Sequence, residues 1–587
     1  MTTNSATATL GANGAGELVG RTPASSSHAH AGQSETAPKQ NWILSPAQDS
    51  LLIILAPLLT LALALFSIHY FGIVKGATLV LVAHVVITVS HHLPTFIRIY
   101  GDVELFRRFR WHFVFAPIIS LGFCLSVLGY LNANAYPLEN FLYFYIFLTL
   151  WDPWHFARQH YGFMRIYDRN NRAPHALASR MDLLLSFGWF AYIMVASGDW
   201  LLDLLQDMYV RVQWPVLLSL TGDGLALLTE GLRYVALSIT AAYLIYVAWS
   251  WRKGYFVSWA KLLMCLTTFG VMYLTYTPNA LIHSLAPGWT FKVGFAVIGI
   301  VHMTQYLAIV WRFNRGLTQR PERARAGVFR WLHSRGAWWA AAAYVAICLG
   351  YGDIVTTVHD NAWLMAALLA IGFTSTMMHY YFDGFIWKVR HQQNNEVLST
   401  QVASEPAAQS RTESWWSSAK QTPALAVLAK QLVYFALSLS ILTAGAMTVW
   451  DKPAGNYIEH MYEAQVLSSQ GMATSAAMEA RVAFQAMQDQ LPVLTKRTEL
   501  QPTASRQAEL AFLIYNESLY ENLVIPQLNG QGTGEAQAMK HRRNTQTAIA
   551  TLEQAMLRGG TLAHAGREQL TVQDAQSILE SWRKQVG

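Results

Sequence analysis

Apolar residues along this chain come in long unbroken blocks, not in alternation. Eleven such blocks, each of about 20 residues and so able to cross a bilayer as a helix, are predicted near 50–72, 76–97, 113–132, 139–163, 182–200, 231–251, 258–278, 290–312, 336–352, 361–389 and 423–449. Residues 1–45 are rich in Ala, Thr, Ser and Gly and lack the basic-then-apolar layout of a signal peptide, so they read as a disordered tail. The stretch 201–222 is apolar but carries Asp203, Asp207 and Arg211, which predicts an interfacial helix and not a span. After Asp451 the pattern changes. Apolar positions recur at helical spacing among Gln, Glu and Ala, and Pro502 and the Gly530–Gly534 cluster divide them into segments. The expected fold is all-α: a polytopic helix bundle over 46–450, followed by a small helical soluble domain over 451–587.

Charge orients the bundle. Arg98, Arg107, Arg108 and Arg110 follow the second block, and Arg165, Arg169, Arg172 and Arg180 follow the fourth. Arg252, Lys253 and Lys261 follow the sixth. Arg312, Arg315, Arg320, Arg323, Arg325, Arg330 and Arg335 follow the eighth, and Lys388 and Arg390 the tenth. The odd-numbered connections are nearly free of Lys and Arg. Basic loops stay in the cytoplasm, so the amino terminus is expected inside and the domain after Asp451 outside, in a bacterial inner membrane. The net charge of +7 is spent in these loops and does not indicate nucleic acid. Cys124, Cys265 and Cys348 lie in apolar blocks without CxxC spacing, which argues against a disulfide framework or a thiolate zinc site.

Histidine distribution supplies the candidate chemistry. The second block carries His84, Thr88, His91 and Thr95 on one helical stripe, with His92 beside it. The fourth ends in Asp152, His155, Gln159 and His160, with Pro153 expected to kink it. The eighth holds His302, Gln305 and Tyr306, and the tenth Ser375, His379 and Asp383. These blocks all descend in one direction, which puts their imidazoles in the cytoplasmic half. Ionisable residues within a membrane mark functional sites. His84, His91, His92, His155, His160, His302 and His379 are therefore candidate metal ligands, because neutral imidazole suits iron, zinc, copper and nickel. Asp152, Asp383 and Tyr306 are candidate catalytic or orienting groups, and Gln159 and Gln305 candidate hydrogen-bond partners at the cofactor. His69, His112, His175, His283, His333, His359, His391 and His460 fall at block ends, in loops or in the tail, and are expected to take no part.

The set His84-x6-His91-His92, Asp152-x2-His155-x4-His160, His302 and His379-x3-Asp383 resembles the histidine-rich integral-membrane non-haem iron oxygenases. That class includes membrane fatty-acid desaturases and hydroxylases and the Brp/Blh carotene-cleaving dioxygenases. The HxxxH and HxxHH boxes of the desaturases do not occur here, so the resemblance is one of chemistry and layout over roughly residues 76–390. It implies one or two non-haem iron ions, dioxygen and a lipid, fatty acyl or isoprenoid substrate within the bilayer. No flavin or nicotinamide motif is present, so electrons would come from a separate donor protein. Three other readings compete: a haem-binding electron carrier, a transporter or proton relay using the buried His and Asp, and a scaffold presenting its external domain.

Overall fold

The computed structural model describes residues 40–134, 138, 141, 143–212, 216–287, 289–319, 322–334, 338–359, 361–386, 424–433, 435, 457–469, 471–560, 562–564 and 568–587. Within them the chain is helical except for a two-stranded hairpin that pairs Leu562–His564 with Glu568–Leu570. The membrane part comprises α1 (Ala56–Ser90), α2 (His92–Gly101), α3 (Val103–Ala133), α4 (Tyr143–Tyr167), α5 (His175–Ala196), α6 (Asp199–Val212), α7 (Gly222–Arg252), α8 (Trp259–Tyr276), α9 (Phe291–Thr318), α10 (Trp338–Thr356) and α11 (Ala362–Ile386). A shorter apolar helix covers Ala424–Val433. The remainder of the expected eleventh block, apart from Phe435, lies outside the described residues, as do residues 1–39.

Seven helices among the described residues are long and apolar enough to cross a membrane, and the bent pair formed by α5 with Trp200–Gln206 brings the number to eight. These long apolar helices make the chain an integral membrane protein. α1 contributes two of the seven. It breaks at Gly72, whose φ of +79° only glycine adopts freely, into Ala56–Ile73 and a second span, Lys75–Gly101, that runs on through α2. α4 and α8 are helical at the expected places but are not among the seven. α4 gives up apolar length to the polar residues of the candidate site. α4 runs as one helix through Pro153. α6 turns 72° away from α5.

Small residues bring helices close where the bundle is tightest. A Cβ on Gly352 of α10 would overlap Val86 and Ser90 of α1, and one on Gly294 of α9 would overlap Thr275 of α8. The Arg-bearing connections meet one another. Val103 donates its backbone N–H to the Arg323 carbonyl (2.8 Å) and Arg325 donates to Gly101 (2.8 Å). Buried Arg98 pairs with Asp102 at 2.8 Å. Nearby, Lys261 Nζ lies 3.0 Å from both Asp168 and Asp182, Arg165 lies 2.7 Å from Asp182, and Tyr243 donates to Asp182 at 2.9 Å. Two buried carboxylates are thus matched by two cations. The segment before α1 is pinned to the same end: Asn41 donates to the Ile166 carbonyl and Trp42 packs edge-on against Trp259. Residues 40–45, assigned to the tail from sequence, are held here because Asp49 accepts the backbone N–H groups of Ile43 (2.7 Å) and Leu44 (2.8 Å).

The C-terminal helices α12 (Tyr457–Ser469), α13 (Ala473–Leu500), α14 (Ala504–Leu519), α15 (Glu535–Arg558) and α16 (Val572–Val586) pack on one another. They dock through α13 onto the α5–α7 connection. Val493 joins Leu202 and Leu217 in one apolar cluster, Arg497 bonds Gln206, and Gln501 fills the space over Gly198. Burial pushes the Glu509 carboxyl up, while Arg497, Arg506 and Lys292, at the start of α9, draw it down.

Candidate metal centre

Four segments converge on one buried cluster. The first is the break between α1 and α2. His91 is the residue between the two helices, and Pro94 lies in the first turn of α2, where its missing N–H leaves no intrahelical bond unmade. Two consecutive imidazoles here lie beside α11. The His91 and His379 ring centroids are 4.5 Å apart, and His92 and His379 5.2 Å. α4 brings His155, whose ring lies 4.8 Å from His379 and 5.2 Å from His302 of α9. His302 lies 5.4 Å from His91. One ligand atom from each of His91, His302 and His379 falls within 4.8 Å of the others, and the same holds for His155, His379 and Asp383.

Hydrogen bonds at the back of the rings set which nitrogen faces the cluster. His91 Nδ1 donates to the Thr88 carbonyl, so Nε2 carries the lone pair. Ser375 spends its hydrogen on the Gly372 carbonyl and therefore accepts from His92 Nδ1 at 3.0 Å. His160 Nδ1 donates to the Phe156 carbonyl at 3.1 Å. Tyr306 donates to Asp383 Oδ1 at 2.8 Å and stands 2.6 Å from Thr95 Oγ1, which is 2.7 Å from His379 Nδ1. The front of the cluster is poor in hydrogen bonds. His91 Nε2 and both ring nitrogens of His302 are buried without a hydrogen-bond partner among the described residues, as is His160 Nε2 beside the cluster. His155 Nε2 and His379 Nε2 face each other at 3.1 Å, with Asp383 Oδ2 at 3.5 Å from the first and 3.9 Å from the second. Buried imidazole nitrogens and a carboxylate gathered this closely could hold a cation, and buried polar atoms left unpaired are costly. The donor set fits a first-row transition metal: several imidazoles, one carboxylate, no thiolate.

The other sequence candidates fall around this cluster. His84 packs beside Phe295 (5.6 Å between centroids) and against Gly299, outside both ligand groups. The His160 ring sits among Phe156, Phe163 and Phe269. Gln159 donates to the His302 carbonyl at 3.2 Å, and Gln305 to the Ile53 carbonyl at 3.1 Å, in a π-helical turn over Ser50–Ile54. Both amides therefore hold helices in place. The side chain of Asp152 lies outside the described residues. Of the histidines set aside, His112 is bonded to Tyr381 at 2.9 Å and Gln431 at 2.7 Å, and His333 to the Phe329 carbonyl at 2.9 Å. His391 lies outside the described residues. His460 gathers Glu463 and Glu479 around it, and its 2.8 Å hydrogen bond to Glu479 on a partly exposed surface accounts for that group. Sequence reasoning placed Thr95 on the histidine stripe but gave it no role at the site. Comparison with known protein families, curated proteins and solved structures finds no match.

Proposed function

We propose that this chain is an integral-membrane, metal-dependent oxidoreductase: an oxygenase, hydroxylase or desaturase acting on a lipid, fatty acyl or isoprenoid chain. One observation carries the reading: imidazoles from four segments and the Asp383 carboxylate converge inside a membrane bundle, with their ligand atoms within 4.8 Å of one another in two groups. His91, His302 and His379, and His155, His379 and Asp383, would hold one or two non-haem iron ions. Bound iron would supply dioxygen activation. The chain's own residues fix ligand tautomers and exclude water, and a lipophilic substrate would enter from the bilayer. Electrons would come from a separate donor protein. Haem suits the site poorly, because rings packed 4.5–5.4 Å apart leave no slot for a macrocycle. The runner-up is a proton relay, favoured by the bonded series from His379 through Thr95 and Tyr306 to Asp383. Mass spectrometry of lipids from membranes holding the wild type or His379→Ala tests the choice. Lipids that gain oxygen or lose two hydrogens only with the wild type support the oxidoreductase, and identical lipid profiles count against it.

We also infer the topology. The Arg-bearing connections form one face, the segment from residue 40 joins it, and positive loops stay inside, so the amino terminus belongs to the cytoplasm in a bacterial inner membrane. Gln431 bonds His112 and Tyr381, near the cytoplasmic ends of α3 and α11. The C-terminal helices dock on the α5–α7 connection and near Lys292, on the opposite face. With the expected eleventh block, 423–449, as a further crossing, the count would be eleven spans and the C-terminal helices would lie outside. A reporter fused after residue 455 should be active only outside the cytoplasm, and activity inside would refute the eleventh crossing.

A further inference from the structure

The hydrogens of the chain behind His379 can be assigned one by one. Tyr306 has a single hydroxyl hydrogen and gives it to Asp383 Oδ1 at 2.8 Å. Towards Thr95, 2.6 Å away, the Tyr306 oxygen can then only accept. Thr95 therefore spends its own hydrogen on Tyr306, and its oxygen can only accept from His379 Nδ1 at 2.7 Å. His379 is left with a proton on Nδ1 and a lone pair on Nε2, the nitrogen that faces His155 and the second oxygen of Asp383. All four residues are shielded: Thr95 and His379 are fully buried, Tyr306 is 1% exposed, and the Asp383 side chain is 10% exposed. Water is therefore poorly placed to substitute for a lost member.

We infer that Thr95 is a positioning residue for the metal centre: with Tyr306 it lets the Asp383 carboxylate select the His379 tautomer that presents Nε2 to the ion. This rests on the metal reading above and extends it to a residue that binds no ion itself. Asp383 then acts at both ends, through one oxygen on the back of His379 and through the other beside the Nε2 atoms of His379 and His155. The hydroxyl is what matters, because its one hydrogen and its acceptor lone pairs transmit the direction of the chain. A valine keeps the shape and loses both. Phenylalanine at 306 produces a different fault. It frees the Thr95 hydrogen to point at His379 Nδ1, which favours the tautomer with its proton on the ligand nitrogen.

The test is iron(II) affinity of the purified full-length protein, measured anaerobically by chelator competition. Thr95→Val and Tyr306→Phe should each weaken binding by roughly 10–100-fold, as loss of such outer partners does. Thr95→Ser should stay near wild type. The Thr95→Val/Tyr306→Phe double variant should be no weaker than Thr95→Val alone, because both changes break one chain. Packing defects at the two positions would multiply instead. A wild type that binds iron while Thr95→Val binds equally well, or Thr95→Ser fails like valine, or the double variant multiplies the losses, overturns this inference and leaves the metal centre standing. A wild type that binds no iron overturns the metal centre itself.

Discussion

His379→Ala is expected to empty the site of metal while leaving the bundle folded. His379 belongs to both ligand groups, its ring lies against those of His91, His92, His155 and Tyr306, and its Nδ1 is held by Thr95. Removing it takes a donor from each group and leaves the Thr95 oxygen without its hydrogen-bond donor. The local cost, about 1–3 kcal/mol for an unsatisfied buried group, is small beside the apolar runs that insert the helices. His155→Ala should behave in the same way, since His155 Nε2 faces both His379 Nε2 and Asp383. His175→Ala should change nothing, because His175 is an exposed residue at the start of α5. Metal content and elution as a single species, measured together on each variant, check the expectation. Full metal occupancy in both His155→Ala and His379→Ala would return these histidines to interhelical packing or a proton path.

The second large effect is one of stability. Lys261→Met should destabilise the protein by about 3–5 kcal/mol, because it leaves a buried charge without its partner. Lys261 is 2% exposed and bridges Asp168 and Asp182, which are equally buried. Without it the two carboxylates still share Arg165 but lose the cation that bridges them most deeply. The bridge ties the end of α4 to α5 and α8, the framework that carries His155. Asp168→Asn in the Lys261→Met background should recover part of the loss, since charge balance and not the lysine itself is what matters. Thermal melts of the detergent-purified variants read both effects. An unchanged melting temperature in Lys261→Met would show that the network is not a structural tie.

Much of this was legible in sequence, for identifiable reasons. The first ten predicted blocks coincide with helices because a bilayer demands long apolar runs. The common depth of His91, His155, His302 and His379 followed from loop charge, and these residues meet. His84 and His92 were harder. An unbroken helix puts His84 and His91 on one stripe and turns His92 about 100° aside. His84 and His91 do both face α9, but His84 lies two turns away, against Gly299 and Phe295, while His92, turned aside, reaches His379 of α11. Thr95 gave no signal of its own. Hydroxyls in membrane helices commonly bond the carbonyl one turn back, as Thr88 does to His84 and Ser90 to Val86, and only the neighbours from α9 and α11 distinguish Thr95. The docking of α13 on the α5–α7 connection was equally hidden, because it joins segments far apart in the chain through a few apolar contacts.

The converging imidazoles are expected to hold a metal ion. Elemental analysis and an absorption spectrum of the full-length protein, purified without chelator, test it most directly. Stoichiometric iron without a haem Soret band is the expected result. Protein that carries no transition metal, and takes up none when iron(II) is supplied anaerobically, would contradict it.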